Sequence, residues 1–280
     1  KGIENSRNLM TIRIAQYLGM EKVAEIANRT GVMENMPNVL SMALGAGETS
    51  LIDLTAAYAS FVNGGKKVEP SLIDRIQDRR GKNIFLENFA ACTNCDEPYI
   101  EENPMPKLVN SSESIFDEAK SYQMVSILKG AVDRGTGRKT KIDGIEIAGK
   151  TGTTNNNTDA WFIGFTSDLI IGVYAGFDKP KSLGKRETGS SVAVPIFRDF
   201  VKNYYQEKPI LPFTIPNGIE LIKINYDTGE IASNFNSSES VYEAFSKSDN
   251  LVSSGEILVG SEGFQIIEVA DEVMEEYVIY

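Results

Sequence analysis

The 280 residues contain no histidine. That absence closes every scheme within this chain that uses imidazole as base or ligand: Ser-His-Asp triads, Cys-His proteases, His-Glu-x-x-His zinc sites and the His of a kinase catalytic loop. Proton transfer would fall to lysine, a carboxylate or tyrosine. Cysteine is almost as scarce. Cys92 and Cys95 are the two present, too few for a disulfide scaffold, and their Cys-x-x-Cys spacing sits in a Pro- and Asn-containing stretch without the strand and helix of a redox motif. A zinc site would need a second ligand pair that the chain does not have, so a loop staple or two thiols in an insertion is expected. No apolar run approaches the roughly 20 residues needed to cross a bilayer, and the start shows no signal-peptide pattern. Basic residues are in deficit. Lys plus Arg number 28 against 39 Asp plus Glu, a net charge of -11, which is the wrong sign for neutralising phosphates and excludes nucleic acid as the expected partner.

What is present is an ordinary globular composition, 41% apolar and 24% charged, long enough for one large domain or two smaller ones. Apolar residues at three-to-four spacing predict helices over Leu9 to Leu18 and Lys22 to Arg29. A third is capped by Thr49 or Ser50 and closed by Asn63-Gly64-Gly65. A hairpin is expected around Asp78-Arg79-Arg80-Gly81, and a polar insertion from 87 to 112. Next come a helix from Glu113 to Asp133, strands over Ile145 to Thr153, Ala160 to Phe165 and Leu169 to Phe177, and a closing helix from Val192 to Tyr205 with Pro195 in its first turn. Residues 207 to 280 differ: Pro209, Pro212 and Pro216 read as a linker, Asp227-Thr228-Gly229 as a hairpin turn, and the end as an acidic extension.

Gly144 to Thr151 spells G-x-x-x-x-G-K-T. A phosphate loop needs a strand before it and a helix opening after it, whereas here the interior alternates as a strand, with Ile145 and Ile147 around Glu146, and Thr151 runs into Gly152-Thr153-Thr154-Asn155. Nucleotide binding is therefore the weakest reading. The same lysine heads Lys150-Thr151-Gly152, which follows a Ser6-Arg7-Asn8 of the S-x-N form. Read plainly, Ser6 and Asn8 would cap the helix at Leu9, and the threonines would line an edge strand.

The surroundings favour more. Leu44-Gly45-Ala46-Gly47-Glu48, Ala57 to Gly65, Arg134-Gly135-Thr136-Gly137, Gly149 to Thr154, Asp159 to Phe165 and Ser182-Leu183-Gly184 together resemble the transpeptidase domain of class A penicillin-binding proteins, from about residue 2 to 205. The resemblance implies an α+β fold with a mainly antiparallel sheet, flanking helices and a helical subdomain, over residues 1 to 206. It implies acyl transfer from D-Ala-D-Ala stem peptides of peptidoglycan by a serine, inhibition by β-lactams, no cofactor and no metal. It also implies a place on the outer face of the cytoplasmic membrane, reached through an anchor outside this chain, and leaves the oligomeric state open.

In that reading Ser6 relays a proton, Asn8 orients the catalytic lysine and the substrate amide, and Lys150 attracts the substrate carboxylate while Thr151 and Thr153 donate hydrogen bonds to it. Gly152 leaves room for the substrate backbone, and the Thr153 N–H supplies half of an oxyanion hole. The family's nucleophile is the Ser of S-x-x-K, which precedes S-x-N; nothing precedes Lys1, so the chain alone is expected to be catalytically incomplete. Ser126-Ile127-Leu128-Lys129, Ser182-Leu183-Gly184-Lys185 and Ser248-Asp249-Asn250 lie in the wrong order and are expected to be surface. A non-catalytic module that binds cell-wall peptides or partners is the alternative from another class.

Overall fold

A computed structural model of the chain describes residues 1–87, 90–93, 107–110, 112–231, 240–247, 256–259 and 265–268, with 90–93, 107–110, 256–259 and 265–268 described as backbone only. Helices α1 (Asn8–Leu18) and α2 (Met20–Arg29) meet at Gly19, whose φ of 85° turns the chain between them. Helix α3 (Leu51–Val62) starts where expected, with the Ser50 side chain accepting from the Asp53 N–H. Strands β1 (Arg75–Gln77) and β2 (Asn83–Leu86) form the hairpin around Asp78. The expected insertion contains one more hairpin, β3 (Ala90–Thr93) with β4 (Lys107–Asn110), whose four-residue strands carry too little alternation to be read from sequence. Cys92 lies on β3, and Cys95 lies outside the described residues.

Helix α4 (Glu118–Asp133) begins five residues later than its apolar spacing suggests. Asp117 caps it by accepting from the Ala119 and Lys120 N–H groups, and the residues before it are spent on backbone pairing instead: Ile115 and Phe116 both donate to the Gly65 carbonyl. Three strands then form one antiparallel sheet in the order β5 (Ala148–Thr153), β6 (Ala160–Phe165), β7 (Ile170–Ala175). A short π-helical turn over Gly189–Ala193 leads into α5 (Val194–Tyr204). Strand β8 (Ile219–Asn225) pairs with β9 (Ser240–Ser246) antiparallel, and β10 (Glu256–Val259) with β11 (Gln265–Glu268). The chain does turn at Asp227-Thr228-Gly229, with an Ile224–Ile231 bridge, but β8 takes its main partner from further along.

The central sheet is covered on both faces, because its side chains alternate. One face carries Phe162 and Val173 against Val194, Phe197 and Val201 of α5, with the Phe162 and Phe197 rings edge to face at 4.9 Å. The other carries Ala148 and Phe165 against Val125 and Leu128 of α4, and the Phe213 ring completes this cluster. The proline-rich segment is thus packed, its Phe213 N–H held by Glu146 at 2.9 Å. Among the described residues no helix is long and apolar enough to cross a membrane.

Phe197 is fully buried. Phe197→Ala is expected to cost about 3–5 kcal/mol, read as a lower urea midpoint with an unchanged slope. A loss below about 1 kcal/mol would show that α5 does not anchor the sheet.

Candidate active site

Strand β5 is the outer strand of the central sheet and carries Lys150-Thr151-Gly152-Thr153. Lys150 lies opposite Ile163 in the register with β6, so its stem leaves from the face that α4 covers. The ammonium donates to the Ser6 Oγ at 3.0 Å and to the Thr151 carbonyl at 2.8 Å. No carboxylate lies within salt-bridge distance of it among the described residues. Burial lowers its pKa below the ordinary lysine value, because the charged form loses hydration without gaining an anionic partner.

Ser6 sits in the turn that enters α1, with a φ of 53° in the left-handed region that serine rarely adopts. The plain capping reading fails here. Arg7 is the residue at the N-cap, and no side chain caps α1. Asn8 is the first residue of α1 and is exposed; no hydrogen bond joins it to Lys150 or Ser6 among the described residues.

The two threonines are oriented differently. Thr151 Oγ1 lies 2.8 Å from Thr136 Oγ1, at the Gly-Thr-Gly that ends α4. Thr153 Oγ1 accepts from the Gly189 N–H at 3.0 Å, which uses a lone pair and leaves its proton for an external acceptor. Gly189 must be glycine for this approach, since a Cβ there would stand 2.5 Å from the Gly152 carbonyl oxygen and 2.4 Å from that of Trp161. The site thus offers an ammonium without an acidic partner among the described residues and, further along the same strand, an exposed hydroxyl whose proton is not used.

The other sequence candidates separate from this site. Lys129 is ion-paired with Glu146 at 2.8 Å; burial pushes its pKa down, but the Glu146 partner outweighs that and leaves it raised, so it is a poor base for Ser126. Ser126 itself donates to Glu243 at 3.4 Å. Ser182 Oγ accepts from the Gly184 N–H within its loop, and Ser248-Asp249-Asn250 lies outside the described residues. The phosphate-loop reading is overturned by geometry, because Lys150 and Thr151 belong to a strand and not to a loop opening a helix. Among the described residues no group of three or more acids or cysteines could hold a metal ion.

Sequence reasoning gave no site role to Thr136 or to the two residues behind Ser6, Glu4 and Arg134. The run Arg134 to Gly137 is among those that carry the resemblance, but its partners are remote in the chain and nothing local reveals them.

An α+β sheet of this order, with Lys-Thr-Gly-Thr on the outer strand meeting a Ser-x-Asn turn, is the fold of the penicillin-recognising serine transferases. Residues 1–202 match the model of the penicillin binding protein transpeptidase domain, and the chain belongs to that family. It is 45% identical over 236 residues to penicillin-binding protein 1A of Rickettsia conorii, covering 82% of this chain and 29% of the relative. The chain therefore spans about a third or less of the length of the first curated relatives it matches. The crystal structure of penicillin-binding protein 1A from Haemophilus influenzae superposes with a TM-score of 0.72 at 28% identity, covering 86% of this chain and 39% of the other. PonA1 of Mycobacterium tuberculosis in complex with penicillin V shares the fold at 19% identity, with a TM-score of 0.55 and coverage of 70% and 54%.

The lowered Lys150 pKa has a definite sign. Between its folded value and the ordinary value of about 10.4 the unfolded chain binds more protons, so stability rises with pH across that window. Lysine side-chain NMR should show one ammonium titrating below the others, absent in Lys150→Met, and this rise in stability should disappear in the same variant. Titration of Lys150 together with the surface lysines would contradict the site geometry.

Proposed function

We propose that the chain is the acyl-transfer part of a peptidoglycan D,D-transpeptidase, lying in residues 1 to 206 and working on the extracytoplasmic face of the cytoplasmic membrane. Its substrates would be stem peptides ending in D-Ala-D-Ala, and β-lactams would mimic them. The observation that carries this reading is the 3.0 Å contact between the Lys150 ammonium and Ser6 Oγ, on a strand that also carries the exposed Thr153 hydroxyl. The family membership and the penicillin V bound by PonA1 add support.

The reaction follows from the groups available. A serine from a segment outside these 280 residues attacks the penultimate carbonyl, its proton passing to a neighbouring lysine. The Lys150 charge and the Thr151 and Thr153 hydroxyls hold the terminal carboxylate, while the Thr153 N–H stabilises the oxyanion, a contribution typically of about 3 kcal/mol for one donor. The C–N bond breaks, and the proton returns through Ser6 to the departing D-Ala nitrogen. An acceptor amine then attacks the ester, gives up its proton along the same route, and frees the serine as the new amide forms. Asn8 orients the catalytic lysine and the substrate amide. A lowered Lys150 pKa suits this relay, because exchange with the Ser6 hydroxyl becomes easier and an arriving carboxylate restores the charge.

Fluorescent penicillin should label the full-length protein covalently, with Ser6→Ala and Lys150→Met each slowing acylation by about 10² to 10⁴. Wild-type rates in both variants would remove the assignment, and a protein that binds wall peptides without stoichiometric labelling would be the non-catalytic module. The 280-residue chain alone is expected to stay unlabelled; label on Ser126 or Ser182 would show that the nucleophile has been misplaced.

A further inference from the structure

Glu4 is 2% exposed and lies two residues before Ser6. Its Oε1 accepts from Arg134 Nη2 at 2.5 Å, its Oε2 from the Tyr226 hydroxyl at 2.9 Å, and its carbonyl from the Thr136 N–H at 3.1 Å. The fit against α4 is tight: a Cβ on Gly130 would stand 2.1 Å from Glu4 Oε1, and one on Gly135 2.2 Å from the Glu4 carbonyl oxygen. The same Arg134 nitrogen donates to Glu243 on β9, and the guanidinium lies 5.3 Å from the centre of the Tyr226 ring. The Tyr226 hydroxyl also accepts from Asn5 Nδ2 at 3.1 Å. Glu4 and the Asn5 side chain are therefore tied to Arg134 and Thr136, just past the end of α4, and to Tyr226, just past the end of β8, while the Ser6 N–H closes the turn on the Ile3 carbonyl.

Two carboxylates sharing one half-buried guanidinium are a poor device for stability. Removing charges from water costs several kcal/mol per ion, and like charges that meet at one cation repel. Burial and Glu4 push the Glu243 carboxyl up against the lowering effect of Arg134, which records that tension. Such an arrangement is better explained by what it holds in place. What it holds is a turn whose serine sits at a φ of 53° with its hydroxyl on Lys150, a conformation that persists only when its surroundings enforce it.

We infer that the β8–β9 pair is a positioning element of the active site, acting through Glu243 and Tyr226 on the Arg134–Glu4 link to keep Ser6 within reach of Lys150. Both residues lie beyond the 1–202 segment that matches the family model, and Tyr226 reaches Glu4 across 222 positions of sequence. The inference rests on Ser6 being the relay proposed above. Glu243 and Tyr226 are positioning residues, touching neither substrate nor Lys150.

The test uses the full-length protein and stopped-flow acylation by fluorescent penicillin, resolved into the dissociation constant of the reversible complex and the acylation rate at saturation. Glu243→Ala should lower the saturating rate by about tenfold to a hundredfold, the range expected when a reacting group is displaced by about an ångström, with the dissociation constant little changed. Glu243→Gln, which still offers Arg134 an acceptor, should recover most of the loss. Tyr226→Phe removes one hydroxyl at Glu4 and should slow the same step more mildly, which keeps the test open if Glu243→Ala does not fold. In a Ser6→Ala background neither substitution should slow acylation further, because each acts through Ser6. Unchanged saturating rates in Glu243→Ala and Tyr226→Phe, or an equal slowing with and without Ser6, would overturn the inference while leaving the function intact. If Ser6→Ala itself acylates at the wild-type rate, the relay assignment falls and this inference falls with it.

Discussion

A half-buried lysine with no carboxylate partner among the described residues is the constraint on which the rest of this structure depends. An ammonium placed as Lys150 is loses hydration, gains one serine oxygen and one backbone carbonyl in exchange, and has its pKa lowered as a result. Two other half-buried cations are answered by acids: Lys129 by Glu146, and Arg134 by Glu4 and Glu243. A half-buried cation that meets only a serine oxygen and a backbone carbonyl among the described residues is the basis on which a place for an incoming anion is proposed. That imbalance connects the strand chemistry, the turn that carries Ser6, and the proposed recognition of a peptide's carboxy end.

The architecture makes the imbalance possible by holding β5 rigid from behind. Phe162 and Phe197 fill one face of the sheet, and Phe165 and Phe213 fill the other, so β5 inherits its position from β6. Its partners at the open end arrive from three directions. Thr136 comes from the end of α4, Gly189 from the π-helical turn before α5, and Ser6 from the turn before α1. Each contact sets one hydroxyl. In the proposed reaction they divide the labour between a group that attracts charge and groups that donate and relay protons.

Much of this was legible in sequence where the pattern is local. The alternation of Ala160 to Phe165 gave that strand its limits, Ser50 announced α3, and Lys150 to Thr153 stood out as a motif whose geometry the structure then supplied. Where distant pairing competes with local preference, the sequence misleads. Residues 113 to 116 carry helical spacing, yet their N–H groups and carbonyls are taken up along the Gly65 to Lys67 segment, and Asp117 starts α4 instead. Ser6 reads as a helix cap by type and position, but its φ and its lysine partner place it outside the helix. The ties from Glu4 to Arg134, Tyr226 and Glu243 span the length of the chain and leave no periodic trace. The segment after Tyr205 looked like a linker because of its prolines, although Phe213 is buried against Phe165.

The most direct test of the central claim is a crystal structure of the full-length protein acylated by a penicillin. The antibiotic's carboxylate should lie within hydrogen-bond distance of Thr153 Oγ1 and close to the Lys150 ammonium, with Ser6 between that ammonium and the β-lactam nitrogen. A carboxylate bound elsewhere, with Lys150 turned away from the groove, would contradict the account.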